Sequence, residues 1–173
     1  EKYGGFYIGR YETGNLSQSE AVVVKNNTDI GDQTWYTMYN KSKGVAANSN
    51  VTTTMIWGCQ WDAVLRWMYN SGDEEKKTYT YDSTGKGNYY GTNGNEAIPT
   101  GSNDAYAVNN IYDMAGNVYE NTMEIVGSSN EGGKVARGGN YDGEPISSSV
   151  SFYAAFTGLF SNSKIGSRLA LYM

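Results

Sequence analysis

Histidine is absent from the 173 residues, and cysteine occurs once. Without imidazole there is no His-based general acid–base catalysis, no Ser-His-Asp or Cys-His nucleophile system and no imidazole metal site. A lone Cys59 can form neither an intramolecular disulfide nor a two-thiolate metal site, and between Trp57 and Trp61 it reads as a small core residue. Basic residues are scarce too: 13 Lys and Arg against 18 Asp and Glu leave a net charge of −5 and a pI near 4.7. A nucleic-acid partner is therefore not expected. No apolar run reaches the roughly 18 residues that a membrane span needs, so no membrane insertion is expected. No signal peptide is visible, and a strand-like segment begins almost at once. The expectation is one domain over residues 1–173, the C-terminal module of a longer protein.

Glycine and tyrosine are abundant, at 22 and 16 residues. Glycine stands well above its usual share of about 7%, so turns and irregular segments should outweigh long helices. The length suits one substantial core.

Along the chain, residues 3–12 alternate as a strand does, with Phe6, Ile8 and Tyr11 as core contributors. Ala21-Val22-Val23-Val24 reads as a second strand, ended by a polar turn at Asn26-Asn27-Thr28-Asp29. Asp32 can cap a helix through Trp35, Met38, Tyr39 and Ser42, and residues 44–53 read as a loop. The clearest helix places Trp57, Trp61, Val64, Leu65, Met68 and Tyr69 on one face and closes at Asn70-Ser71-Gly72, with Gly72 as a left-handed cap. Residues 72–104 read as an ordered polar excursion, with Asp73-Glu74-Glu75-Lys76-Lys77 as a solvated charge run among Tyr79, Tyr81, Tyr89 and Tyr90. Strands are expected over 118–125, 134–139 and 164–172, with Arg137 and Arg168 bracing carbonyls or carboxylates through their planar forks.

The stretch that organises the chain is Asn109-Asn110-Ile111-Tyr112-Asp113-Met114-Ala115-Gly116-Asn117-Val118-Tyr119-Glu120. Gly and Asn tolerate positive φ, so the run holds a tight turn flanked by carboxylates. Such a turn can be an oxygen cage for a hard cation such as Ca²⁺, or a plain strand connection with solvated acids.

This run resembles the N-[IVL]-Y-D-[ML]-x-G-N-V-W-E-W signature of the formylglycine-generating-enzyme (sulfatase-modifying) family, whose domain is a variant of the C-type lectin fold. Three further resemblances fall in the family's order: Gly5-Phe6-Tyr7-Ile8-Gly9-Arg10-Tyr11-Glu12, Arg137-Gly138-Gly139-Asn140-Tyr141 and Gly166-Ser167-Arg168-Leu169-Ala170. The resemblance implies an α+β, C-type-lectin-like fold, loop-rich, with short antiparallel strands and two helices. It also implies a structural Ca²⁺ held by Asp113, Glu120 and the carbonyls of Gly116 and Val118. Asn121 departs from the signature's Trp, which should expose or loosen the wall of that turn.

The family's oxidases hold copper on two cysteines five positions apart, just after R-G-G-[SN]-Y. Counted from Arg137, those places fall to Gly143 and Ser148, neither of which carries a thiolate. The related iron branch needs histidine. Neither copper nor iron is expected, and the chain reads as a non-catalytic binding module.

Residues 140–163 hold six Ser, three of the four Phe, two carboxylates and no base. Rigid aromatics among small polar residues suit a recognition surface, while Phe152, Phe156 and Phe160 at i, i+4 and i+8 equally suit a buried helical stripe. The segment also resembles the diversified stretch of the variable proteins of phage and bacterial diversity-generating retroelements. On that resemblance the ligand contacts would come from Asn140, Tyr141, Asp142, Ser149, Ser151 and Phe152, continuing through Tyr153, Phe156, Thr157, Leu159, Phe160 and Ser161. The partner would be a protein or glycan on a cell surface, and the protein would sit on a cell surface or virion. A fixed-specificity carbohydrate-binding module is the alternative.

Overall fold

The computed structural model describes residues 5–46, 50–127 and 132–172. Strands β1 (Tyr7–Ile8), β9 (Leu169–Tyr172) and β2 (Thr52–Met55) form an antiparallel sheet in the order β1-β9-β2. A short hairpin pairs β3 (Ala107–Val108) with β4 (Ile111–Tyr112). The third sheet runs β7 (Tyr153–Phe156), β6 (Gly133–Arg137), β5 (Tyr119–Val126), β8 (Ile165–Ser167); β5 and β8 are parallel, the other pairs antiparallel. The expected strand over 164–172 is thus two, broken at Arg168, where the chain leaves the third sheet for the first. That crossing ties both ends of the chain into one sheet through β1 and β9.

Among the described residues three α-helices accompany the sheets, one more than expected, with a single 3-10 turn at Asp104–Tyr106. Helix α1 (Trp35–Gly44) is capped by Thr34, whose hydroxyl accepts from the Thr37 amide at 3.2 Å. Asp32 does not cap it: its φ of 61° places it in a turn two residues earlier. Helix α2 (Gly58–Asn70) buries Trp61, Val64, Leu65 and Met68, whereas Trp57 and Tyr69 at the ends of the predicted stripe stay exposed. Gly72 is not its left-handed cap; the helix closes on Ser71, in the right-handed region, whose amide donates to the Trp67 carbonyl at 2.9 Å. Cys59 is exposed on the first turn of α2 and belongs to no core. The run read as solvated charge is helix α3 (Glu74–Tyr79), with Asp73 as its cap, acids in the first turn and lysines in the last. That charge order complements the helix dipole.

Elsewhere, residues 21–24 make one bridge, Gly14 to Val22, rather than a strand. The strand expected over 3–12 shrinks to Tyr7–Ile8; Tyr3 and Gly4 lie outside the described residues, as do 47–49 of the expected loop. Phe6 and Ile8 pack on the larger core, built on Ile56, Trp61, Met68, Tyr79 and Tyr89. A second core gathers Leu16, Trp35, Met38, Met55 and Ile165, with Tyr119 and Phe156 packed against it.

A buried charged hub and an aromatic face

The organising stretch folds as a chain of left-handed turns. Asn109, Asn110, Asp113, Gly116 and Asn117 all have φ between 50° and 72°. Gly116 could not be replaced: a Cβ there would run into the Asn88 carbonyl. Asn117 spends its amide fully. Its Nδ2 donates to Glu12 at 2.7 Å and the Ile98 carbonyl at 3.2 Å, and its Oδ1 accepts from Asn88 at 3.1 Å and the Ile98 amide at 2.9 Å.

Behind the turn, Arg168 is fully buried. Its Nε reaches both Glu120 oxygens at 3.0 and 2.8 Å, and its Nη2 reaches Glu120 Oε1 at 2.5 Å. The remaining donors go to the carbonyls of Gly9 at 2.8 Å and Tyr112 at 2.7 Å. Strand β1, the signature turn and β5 are therefore joined through one guanidinium, whose fork can meet a carboxylate and two carbonyls at once. Glu12, Asp113 and Glu120 are all buried around it. Burial raises the pKa of all three; the negative charges of Asp113 and Glu120 push Glu12 further up, and Arg168 acts against the rise.

The expected calcium ligands do not fit a cation well in this arrangement. Both Glu120 oxygens are committed to Arg168, and a divalent ion there would face a guanidinium. Asp113 Oδ2 accepts from Thr100 and Gly101, and only Oδ1 lacks a partner. Among the described residues no three His, Cys, Asp or Glu side chains form a metal-holding group. Arg168 holds the Glu120 carboxylate that the resemblance assigns to the ion. Asn121 does not loosen this wall: it is buried, with Nδ2 against the Met38 sulfur at 3.4 Å.

Residues 140–163 form neither a helix nor a loose loop. Their main chain is gripped from outside: Trp61 Nε1 donates to the Val150 carbonyl at 3.0 Å and the Tyr89 hydroxyl to the Ser148 carbonyl at 2.9 Å. Ser83 Oγ accepts from the Val150 amide at 3.0 Å, and the Asn117 carbonyl from the Tyr141 amide at 2.9 Å. Strand β7 then pairs with β6 and alternates, Tyr153 and Ala155 outward, Ala154 and Phe156 half-buried. Phe152 stacks on Tyr119 at 5.7 Å and Phe156 on Phe160 at 5.2 Å. Tyr119, Phe156 and Phe160 lie with Asn140, Asn162 and Lys164 around a shallow depression of about 100 Å³.

The predicted ligand residues divide. Asp142, Ser151, Tyr153, Thr157, Leu159, Phe160 and Ser161 are exposed, and Phe152 and Phe156 half-buried. Asn140, Tyr141 and Ser149 are buried, a correction to the expected face. Asn140 Oδ1 accepts from the Asp142 amide at 2.7 Å, closing a turn, and the Tyr141 hydroxyl meets Ser163 at 3.0 Å. The Ser149 hydroxyl meets that of Ser151 at 3.2 Å. Tyr36 of α1 and Tyr119 of β5 were missed; Tyr36 lies against Gly158, and Lys134 sits over its ring at 5.9 Å. No local signal marks Tyr36, which is one residue off its helix's core stripe. Arg137, read as a brace, pairs with Glu124 at 2.7 Å and Asp62 at 3.4 Å while lying 5.6 Å over the Tyr153 ring. Gly143 and Ser148 are neighbours in space: a Cβ at 143 would sit 2.9 Å from the Ser148 side chain. The positions of the copper pair are thus kept without the sulfur.

No curated protein matches the chain. Among solved structures it resembles Treponema denticola variable protein 1, with a TM-score of 0.69 at 14% identity over 95% of this chain and 84% of that one. CarF superposes with a TM-score of 0.71 at 16% identity, over 97% and 86% of the two chains. PvdO from Pseudomonas aeruginosa gives 0.63 at 18%, over 97% and 80%. These likenesses establish the fold, α+β and C-type-lectin-like, of the formylglycine-generating-enzyme type. The sequence profile of the sulfatase-modifying factor enzyme 1-like domain matches residues 46–173, and the chain belongs to that family.

Proposed function

We propose that the protein is a non-catalytic recognition module that presents residues 140–163 as a diversified ligand-binding face, in the manner of retroelement variable proteins. The observation that carries this reading is the division of labour in that segment. Its main chain is held by Trp61, Ser83, Tyr89 and Asn117, all outside it, while Tyr153, Leu159 and Phe160 project with 61%, 75% and 41% of their surface free. Side chains can change there without moving the backbone, which is what a diversified surface requires. Exposed aromatics with an apolar neighbour suit a protein ligand, contact area being gained at little entropic cost. The ligand is a protein or glycan on a cell surface, and the module works from a cell surface or virion. Oxidase chemistry of the family's copper type has no thiolates at 143 and 148 to run on.

Sequencing residues 137–168 in sibling genes tests the reading. Substitutions concentrated at exposed positions, beside a near-identical template repeat and a reverse transcriptase gene, are expected. A uniform segment with no template overturns diversification and leaves the fixed-specificity carbohydrate module, which glycan arrays would then examine.

A further inference from the structure

A second concave site shares no residue with that face. It is a cleft of about 530 Å³ between β1, α2 and the turn before β4, floored by Phe6, Ile8, Val64 and Ile111 and flanked by Tyr7 and Trp67. Tyr7 and Trp67 are 63% and 51% exposed, and neither belongs to either core. The cleft has the size and apolar lining of small-molecule sites, in which a few polar groups set orientation.

Its polar lining is Arg10, Asn109 and Asn110; the one charged group among them is a cation, and no carboxylate is in the lining. Arg10 makes no ion pair among the described residues. It lies 5.6 Å over the Tyr11 ring and 5.4 Å over that of Tyr112, which steer the guanidinium without neutralising it. The nearby acid Asp104 is hydrogen-bonded by the Tyr112 hydroxyl at 2.8 Å and paired with Lys25 at 3.4 Å, and it feels the Arg10 charge without forming an ion pair with it. Asn109 donates to Ser71 at 3.0 Å, which fixes one wall.

We infer that this cleft binds a small anionic amphiphile, an aryl or acyl carboxylate whose apolar body lies along Trp67 and Tyr7 and whose carboxylate meets Arg10. In an acidic protein, a cleft walled by apolar groups and one cation with no ion pair among the described residues selects for that charge.

Isothermal titration of the chain with dodecanoate, a naphthoate and dodecanol tests it, with circular dichroism to verify folding of each variant. Both carboxylates should bind at one site per chain, and dodecanol about tenfold more weakly, the worth of one charge-assisted hydrogen bond. Trp67→Ala should weaken all three; Arg10→Gln should weaken only the carboxylates, bringing them level with the alcohol. Equal binding of carboxylate and alcohol to the wild type, or carboxylate binding unchanged in either variant, overturns the inference. No binding at millimolar concentration also overturns it; concentration-dependent dimerisation abolished by Trp67→Ala would then give the cleft to a second copy. None of these outcomes bears on residues 140–163, so the two readings fail separately.

Discussion

The hub around Arg168 and the face around Phe160 lie in one small fold yet use their residues oppositely. In the hub each side chain is buried and has several partners; Arg168 alone touches Glu120, Gly9 and Tyr112. At the face, side chains have few partners; the main chain is held just before it, at Ser148 and Val150, by Trp61, Ser83 and Tyr89, and within it by the pairing of β7 with β6. Side-chain identity therefore matters most at the hub, where a substitution strands a charge or a donor. At the face it should matter little for folding, and on the proposed reading it sets what is bound.

Breaking the hub should give the largest effect. Glu120→Ala leaves Arg168 buried without its carboxylate and should cost about 3–5 kcal/mol, read as the denaturation midpoint. Adding Arg168→Met should recover part of that loss, because the stranded charge goes with it. Recovery of nothing would mean that Arg168 acts mainly through the Gly9 and Tyr112 carbonyls. Gly116→Ala comes next: the positive φ and the clash with the Asn88 carbonyl should cost about 1–3 kcal/mol in thermal melts.

The pH dependence sharpens the contrast further. Glu12, Asp113 and Glu120 titrate higher folded than unfolded, chiefly through burial. Between the ordinary carboxylate range and those raised values the folded chain holds more protons, so their contribution to stability falls as pH rises through that window. Glu12→Gln removes the most strongly raised of the three. Compared with wild type, its stability should improve as pH rises above the ordinary carboxylate range, with a slope of at most about one proton per chain. A constant difference above that range would place the Glu12 carboxyl outside the linkage.

At the face, Tyr153→Ala and Leu159→Ala should each shift stability by no more than about 0.5 kcal/mol. If either is a binding anchor, the same change should weaken the ligand by about 2 kcal/mol or more. The smallest effect expected is from calcium. With both Glu120 oxygens on Arg168, excess Ca²⁺ or a chelator should leave the melting temperature where it was. A rise of several degrees with Ca²⁺, lost in Asp113→Asn, would restore the cation cage that the signature resemblance implies.

Much of the hub was legible in sequence because its requirements are local and chemical. Positive φ confines positions 109, 110, 113, 116 and 117 to Asn, Asp and Gly, and that pattern is printed in the chain. The family's motifs also placed Arg137 and Arg168 as braces, and both pair with carboxylates. The amphipathic stripe of α2 was equally visible, as was the charge order that makes α3 a helix, although it passed for a solvated run. Tertiary contacts decided what periodicity could not. The Phe152, Phe156 and Phe160 spacing fits a helix, but the neighbouring edge of β6 was open to pair with, and the segment became a strand whose rings stack on Tyr119.

What the sequence determined by itself is the family, the turn geometry at 109–117 and the lack of histidine and paired thiols. These are matters of residue type and backbone dihedral, which act over a few positions. Only the tertiary structure decided that Asn140, Tyr141 and Ser149 are buried, and that Tyr36 and Tyr119 lie beside the exposed residues. It also decided that Arg168, 48 residues from Glu120, occupies the carboxylate a metal would need. Burial and charge pairing across such separations depend on which surfaces meet when the sheets close, and no local pattern records that.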